Sequence, residues 1–139
     1  MDELINSYLV ADYFVEGFES PIKVGKTSKE LDQLLTEHSA TTWCYITAFN
    51  PFSEELSPNE NLVRNDNLRE ELRGFVVVDG ESVDLDGNWK PERSFLVLGI
   101  DRDTSVLLAD KFRQRAIVYG TKGAPAELVF QEIEEDNDG

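Results

Sequence analysis

Trp43-Cys44-Tyr45-Ile46-Thr47-Ala48-Phe49 is apolar on both faces of a strand's alternation, and Asn50-Pro51-Phe52-Ser53 follows it at once. Such a stretch suits a central strand rather than an edge strand, which would show one polar face. The Asn50-Pro51 step ends it, because proline has no N–H for the ladder and biases its predecessor away from helix. The polar residues after this strand are the first place to look for a site.

Downstream, Ser57-Pro58-Asn59-Glu60 is a capping box with proline at the first helical position, where a missing N–H costs nothing. A helix is expected from there to about Arg73, closed by Gly74. At about 100° per residue, Asn61 and Asn65 share a stripe with Leu68 and Leu72, and Arg64 sits at its edge. Residues 75–78 and 94–100 read as strands, joined through the turn formers Asp79-Gly80, Asp86-Gly87-Asn88 and Pro91 by a wide hairpin or a longer excursion. Asp103 or Thr104 is expected to cap a further helix to about Arg113, with Ser105, Leu108, Ala109 and Phe112 on one face. Residues 116–119 and 127–130 then form a terminal hairpin.

Upstream, residues 2–8 suit a short helical turn, residues 9–15 a strand, and residues 21–25 a second, short one. Thr27-Ser28-Lys29-Glu30 fits a capping box, followed by Leu31, Leu34, Leu35 and His38 on one helical face. His38 then lies at a helix end, as a capping or partly packed residue. The expected fold is α+β: a single mixed or largely antiparallel sheet of about five to six strands, with three main helices packed mostly on one face. Residues 1–131 form one domain, and residues 132–139, with five acidic side chains, form a disordered tail.

The chain has 139 residues, 40% of them hydrophobic, with 28 Asp and Glu against 13 Lys and Arg. That length buries a core of its own, and the resulting charge of -15 repels phosphate backbones and anionic membranes. No direct nucleic-acid binding and no membrane association is expected. Cys44 is the only cysteine, so an intrachain disulfide and a cysteine-based metal site are both excluded. Met1-Asp2-Glu3-Leu4 shows no basic region leading into an apolar core, and the protein is expected in the cytoplasm.

Most familiar chemistry fails on inventory. Val24-Gly25-Lys26-Thr27 has the end of a phosphate-binding loop, but Ser20 stands where the first glycine belongs. Asp84-Leu85-Asp86-Gly87-Asn88 opens like a calcium loop, yet its glycine is misplaced and Phe95 holds the twelfth position. A serine or cysteine nucleophile would have only His38 as base. No metal and no cofactor is expected. What remains is a set rich in amides, hydroxyls and guanidinium: Asn50, Ser53, Asn61, Arg64, Asn65, Trp89, Glu92 and Gln114. These groups suit recognition of a polar ligand more than bond breaking. Glu92 is the best general acid or base among them, and Arg64 the best anion clamp.

The run from Ile46 to Ser53, the later Asn61, Trp89-Lys90-Pro91-Glu92-Arg93-Ser94 and Phe112-Arg113-Gln114-Arg115-Ala116 resemble the bacterial domain-of-unknown-function family thirty-two ninety-three. The likeness spans about residues 8–130 in order and spacing. That family's pattern is a T-A-x-N-P-x-S turn, an asparagine in the next helix, a W-x-x-E-x-S segment and a Q-x-A near the last helix, and this chain keeps all four. Arg113 stands where family members often have glycine. The resemblance implies that Asn50, Ser53, Asn61, Glu92, Ser94 and Gln114 belong to one group, and it implies no activity.

Two readings of that group stand side by side. In one, Asn50, Ser53, Asn61, Arg64, Glu92 and Gln114 hold a small polar or anionic ligand at the turn after the central strand. In the other they form a polar network that only fixes the fold, Asn50 closing an Asx-turn and Glu92 pairing with Arg64. The protein would then be an acidic module that meets a basic protein partner or, more remotely, mimics nucleic acid.

Overall fold

Strand β2 (Thr42–Ile46) lies inside the sheet, with an antiparallel neighbour on each side. The computed structural model describes residues 3–131, with side chains from residue 5. Its six strands follow the order β1-β3-β4-β2-β5-β6, and every neighbouring pair is antiparallel. The others are β1 (Asp12–Val15), β3 (Val76–Val83), β4 (Glu92–Leu98), β5 (Ala116–Thr121) and β6 (Glu127–Phe130). Helices α1 (Glu3–Val10), α2 (Lys29–Glu37), α3 (Pro58–Glu71) and α4 (Arg102–Lys111) complete an α+β fold.

The alternation of β2 divides the core in two. Cys44 and Ile46 point into a cluster with Val97, Ile117 and Tyr119, closed by Leu68 and Leu72 of the α3 segment and Leu108, Ala109 and Phe112 of the α4 segment. Trp43 and Tyr45 point into the opposite cluster, with Leu96, Leu98 and Val118 under Leu31 and Leu35 of α2. Two of the three main helices thus share one face, and α2 covers the other. Each large apolar side chain buried this way contributes about 1.5–3 kcal/mol, which is why the doubly apolar strand takes the middle. Gly120 makes room for it: a Cβ there would stand 2.6 Å from the Trp43 indole nitrogen.

Strands β3 and β4 form the wide hairpin, paired from Val76↔Leu98 to Ser82↔Glu92. The terminal hairpin is β5–β6. Differences from the sequence reading lie at element ends and at residues 21–25. Residues 9 and 10 belong to α1, so the first strand begins only at Asp12. Residues 21–25 supply two isolated bridges, Tyr13↔Ile22 and Val24↔Ala126, rather than a strand. Ser28, not Thr27, is extended and caps α2 by accepting from Leu31 N, while Glu30 turns outward to accept from Glu19 N and Ser20 N. Asp101, not Asp103 or Thr104, caps α4. The capping box at Ser57 is complete in both directions. Among the described residues no helix is long and apolar enough to cross a membrane. The acidic tail, residues 132–139, lies outside the described residues.

Candidate functional site

Beyond Ile46 the chain leaves the sheet, and side chains replace the ladder that its backbone loses. Asn65 of α3 accepts from Ala48 N at 2.8 Å and donates to Arg93 O at 2.9 Å, tying the departing strand to β4. Thr47 Oγ1 donates to the same Arg93 carbonyl at 2.6 Å. One turn earlier on the helix, Asn61 accepts from Asn50 N and donates back to Asn50 Oδ1, both at 2.8 Å. Asn50 Oδ1 also accepts from Leu56 N. The remaining Asn50 amide nitrogen donates to Glu92 Oε2 at 3.0 Å. A buried backbone group left without a partner costs about 1–3 kcal/mol, so the two asparagines on α3 are the physical reason this exit from the sheet is stable.

The turn is backbone-strained as well as tethered. Asn50, Phe52 and Ser53 all have positive φ, at 46°, 48° and 65°. Phe52 N donates to Arg113 O at 2.6 Å, and Arg113 has φ 54°, a region that favours glycine. Such conformations cost on the order of 1–3 kcal/mol each and persist only when their surroundings fix them. Gln114 supplies part of that fixing through Nε2, which donates to Phe49 O at 3.0 Å and Phe112 O at 3.1 Å. Arg115 Nε donates to Phe52 O and to Ser53 Oγ.

Between this turn and the β3–β4 loop opens a cleft of about 960 Å³. Phe49, Asn50, Ser53, Trp89, Glu92, Gln114 and Arg115 line it, together with Ser7 and Tyr8 of α1. Asp84 shapes the loop by accepting from Asp86 N and Asn88 N, one on each carboxylate oxygen. The segment that opens like a calcium loop is therefore folded around backbone amides. Asn88 Nδ2 reaches Ser7 Oγ at 3.2 Å, and the Tyr8 and Trp89 rings lie 6.0 Å apart, so α1 is joined to the loop across the cleft. Behind it lies a chamber of about 40 Å³, which shares Trp89, Glu92 and Gln114 with the cleft and adds Tyr13, Tyr45, Ser82 and Ser94. That is room enough for a water molecule.

Burial pushes the Glu92 carboxyl up to about 7, against the opposing hydrogen bond from Asn50. A carboxyl so placed exchanges its proton near neutrality, as an acid or base must. Arg64 is not its partner. The Arg64 guanidinium donates to Ala48 O at 2.7 Å and to Phe112 O, and burial first, then neighbouring Arg113, lowers its affinity for its proton. Of the six residues singled out in the sequence, Asn50, Ser53, Glu92 and Gln114 line the cleft. Asn61 and Arg64 stand outside its lining and hold the turn from behind. Sequence reasoning missed Ser7, Tyr8 and Arg115, whose only signal is closure between segments far apart in the chain. His38 caps the C-terminus of α2 and Cys44 is fully buried, so neither lines the cleft. Among the described residues no group of three or more His, Cys, Asp or Glu is placed to hold a metal ion.

Fold and site together define an α+β domain with a polar, aromatic-walled cleft where the central strand leaves the sheet. A family model described as "Protein of unknown function (DUF3293)" matches residues 46–117, just over half of the chain, and the protein belongs to that family. The matched segment runs from the end of β2 through α3, the β3–β4 hairpin and α4 into β5, and so contains every cleft residue except those of α1. No curated protein and no solved structure matches the chain.

Proposed function

We propose that the protein binds a small polar or anionic molecule in this cleft. The observation that carries the reading is the cleft itself: its volume falls within the range of about 300–1,000 Å³ usual for small-molecule sites, and Asn50, Ser53, Glu92 and Gln114 all open onto it. A network serving only the fold has no need of so large an opening. The strained turn that walls the cleft supports the same reading, since backbone strain gathers where a site must be held in one shape.

The test is a thermal-shift screen against a metabolite library, run on the wild type and on Asn61→Ala and Glu92→Ala. A compound present at about 100 times its dissociation constant stabilises by about 2.7 kcal/mol, a readily measured rise in melting temperature. The expected result is a saturable shift that shrinks in both variants while each still unfolds cooperatively. A library without a single hit, with both variants merely less stable, would return the polar cluster to a structural role.

A second reading, an acidic surface that meets a basic protein partner, rests on the charge of -15. It requires capture of such a partner at low salt that weakens as salt rises. Capture indifferent to salt, or none, removes it.

A further inference from the structure

Resting on the cleft reading above, we infer that the ligand is an organic acid with a flat aromatic body that also carries N–H donors, a chemistry shared by aromatic amino acids and amino-bearing nucleotides. The inference comes from the hydrogen-bonding capacity the cleft leaves unused. The Gln114 amide nitrogen donates to two carbonyls, Phe49 O and Phe112 O, which fixes the orientation of the amide. Its oxygen is left as an acceptor with no donor among the described residues. Glu92 is in the same position: Oε2 accepts from Asn50, and Oε1 has no donor among the described residues. Both residues line one cleft, and with Glu92 ionised their two unused oxygens are acceptors that call for a ligand with N–H groups.

The opposite chemistry stands at Arg115. Its Nε is spent on Phe52 O and Ser53 Oγ, and its terminal nitrogens meet no carboxylate among the described residues. Among the described residues Arg115 is thus a cleft cation that no carboxylate neutralises, and its guanidinium fork suits a planar anion. Lys90, also on the lining, already pairs with Glu55. The N-terminus of α3 is closed to an anion by its own Ser57–Glu60 capping box. The acid is therefore assigned to Arg115.

The lining also carries three aromatic side chains, Tyr8, Phe49 and Trp89. These faces favour a flat body. Because Glu92 is tied to Asn50 and Arg115 to Ser53, one short turn separates the donor-seeking and anion-seeking ends.

Calorimetric titration of the full chain with matched probes tests this. Tryptophan is compared with indole-3-propionate, which lacks the amine, and tryptamine, which lacks the acid. Adenosine monophosphate is compared with purine riboside monophosphate, which lacks the amino group, and adenosine, which lacks the phosphate. The expected result is that one parent binds and both of its truncated partners bind about tenfold more weakly or worse, since each loses a charged or cleft-buried hydrogen bond. Which trio responds tells the amino acid from the nucleotide. In Arg115→Gln the advantage over the acid-free probe should vanish. In Glu92→Gln, Asn50 claims the new amide oxygen and an NH2 faces the cleft, so the advantage over the donor-free probe should vanish instead. Truncated probes that bind as tightly as their parents overturn the inference. So does a library hit of another class that competes in the cleft, and that outcome leaves the cleft reading standing. Failure of every probe and every library compound removes both.

Discussion

Glu92 is the residue at which fold and chemistry pull against each other. Its environment holds the carboxyl at about 7, against an ordinary value of 4.5 in the unfolded chain, chiefly because burial disfavours the charge. The folded state therefore holds this proton more tightly than the unfolded state. That contribution to stability is complete below about pH 4.5 and is lost as pH rises through 7, where the folded state must carry a desolvated carboxylate. Glutamine keeps the shape, still accepts from Asn50 Nδ2 and never ionises. The stability of Glu92→Gln relative to wild type should accordingly be near zero at pH 4 and grow to about 3 kcal/mol in favour of the variant at pH 8. Urea unfolding at a series of pH values measures this difference with the other carboxylates cancelling. A difference that stays flat across the range would mean that Glu92 is solvated in the folded protein and has no special acidity.

At the scale of elements, α3 is a helix whose first half buries amides and whose second half buries leucines. Its cap and its interior do different work. Ser57→Ala removes a solvent-exposed cap and should cost about 1 kcal/mol. Asn65→Ala strands the Ala48 N–H and takes a donor from the Arg93 carbonyl, and should cost about 2–4 kcal/mol. Denaturant unfolding of the two variants gives the order, and a cap loss larger than the Asn65 loss would contradict the role assigned to the asparagine. This helix also shows how far the sequence could be read. The box at Ser57, the Asn61-Asn65-Leu68-Leu72 stripe and the central strand rest on local spacing, and local spacing survives folding. The caps of α2 and α4 shifted because several neighbouring Ser, Thr and Asp side chains can cap, and the backbone at Ser28 and Asp101 decides between them. Opposite charge suggested a pair between Arg64 and Glu92, but the Arg64 guanidinium goes to two carbonyls, and Oε2 of Glu92 accepts from an asparagine instead. The contributions of Tyr8 and Arg115 to the cleft are set only when α1 and the start of β5 meet the β2 turn, which no local pattern encodes.

At the scale of the whole molecule, a charge of -15 works against a sheet held from its centre outward. The ion pairs between side chains sit largely at exposed positions, among them Arg69–Asp79, Arg73–Glu70 and Arg102–Glu127, where each is worth at most about 1 kcal/mol. They leave most of the self-repulsion in place, so screening should stabilise the fold as ionic strength passes ~0.1 M and the screening length falls below about 10 Å. Cys44 reports on this from the deepest point. It is fully buried on β2 between Val97 of β4 and Tyr119 of β5, and burial pushes its thiol up to about 12, with Ser105 opposing. No local opening exposes it without separating the central strands. Its reaction with a water-soluble disulfide reagent should therefore need global unfolding and, for a stability of at least about 5 kcal/mol, run roughly 10³–10⁴ times slower than that of a free thiol. Raising the salt concentration should slow it further, in step with the gain in melting temperature. Labelling at a rate close to that of a free thiol would show that the two halves of the core open independently of each other. Labelling unaffected by salt would show that the charge on the surface does not strain the sheet.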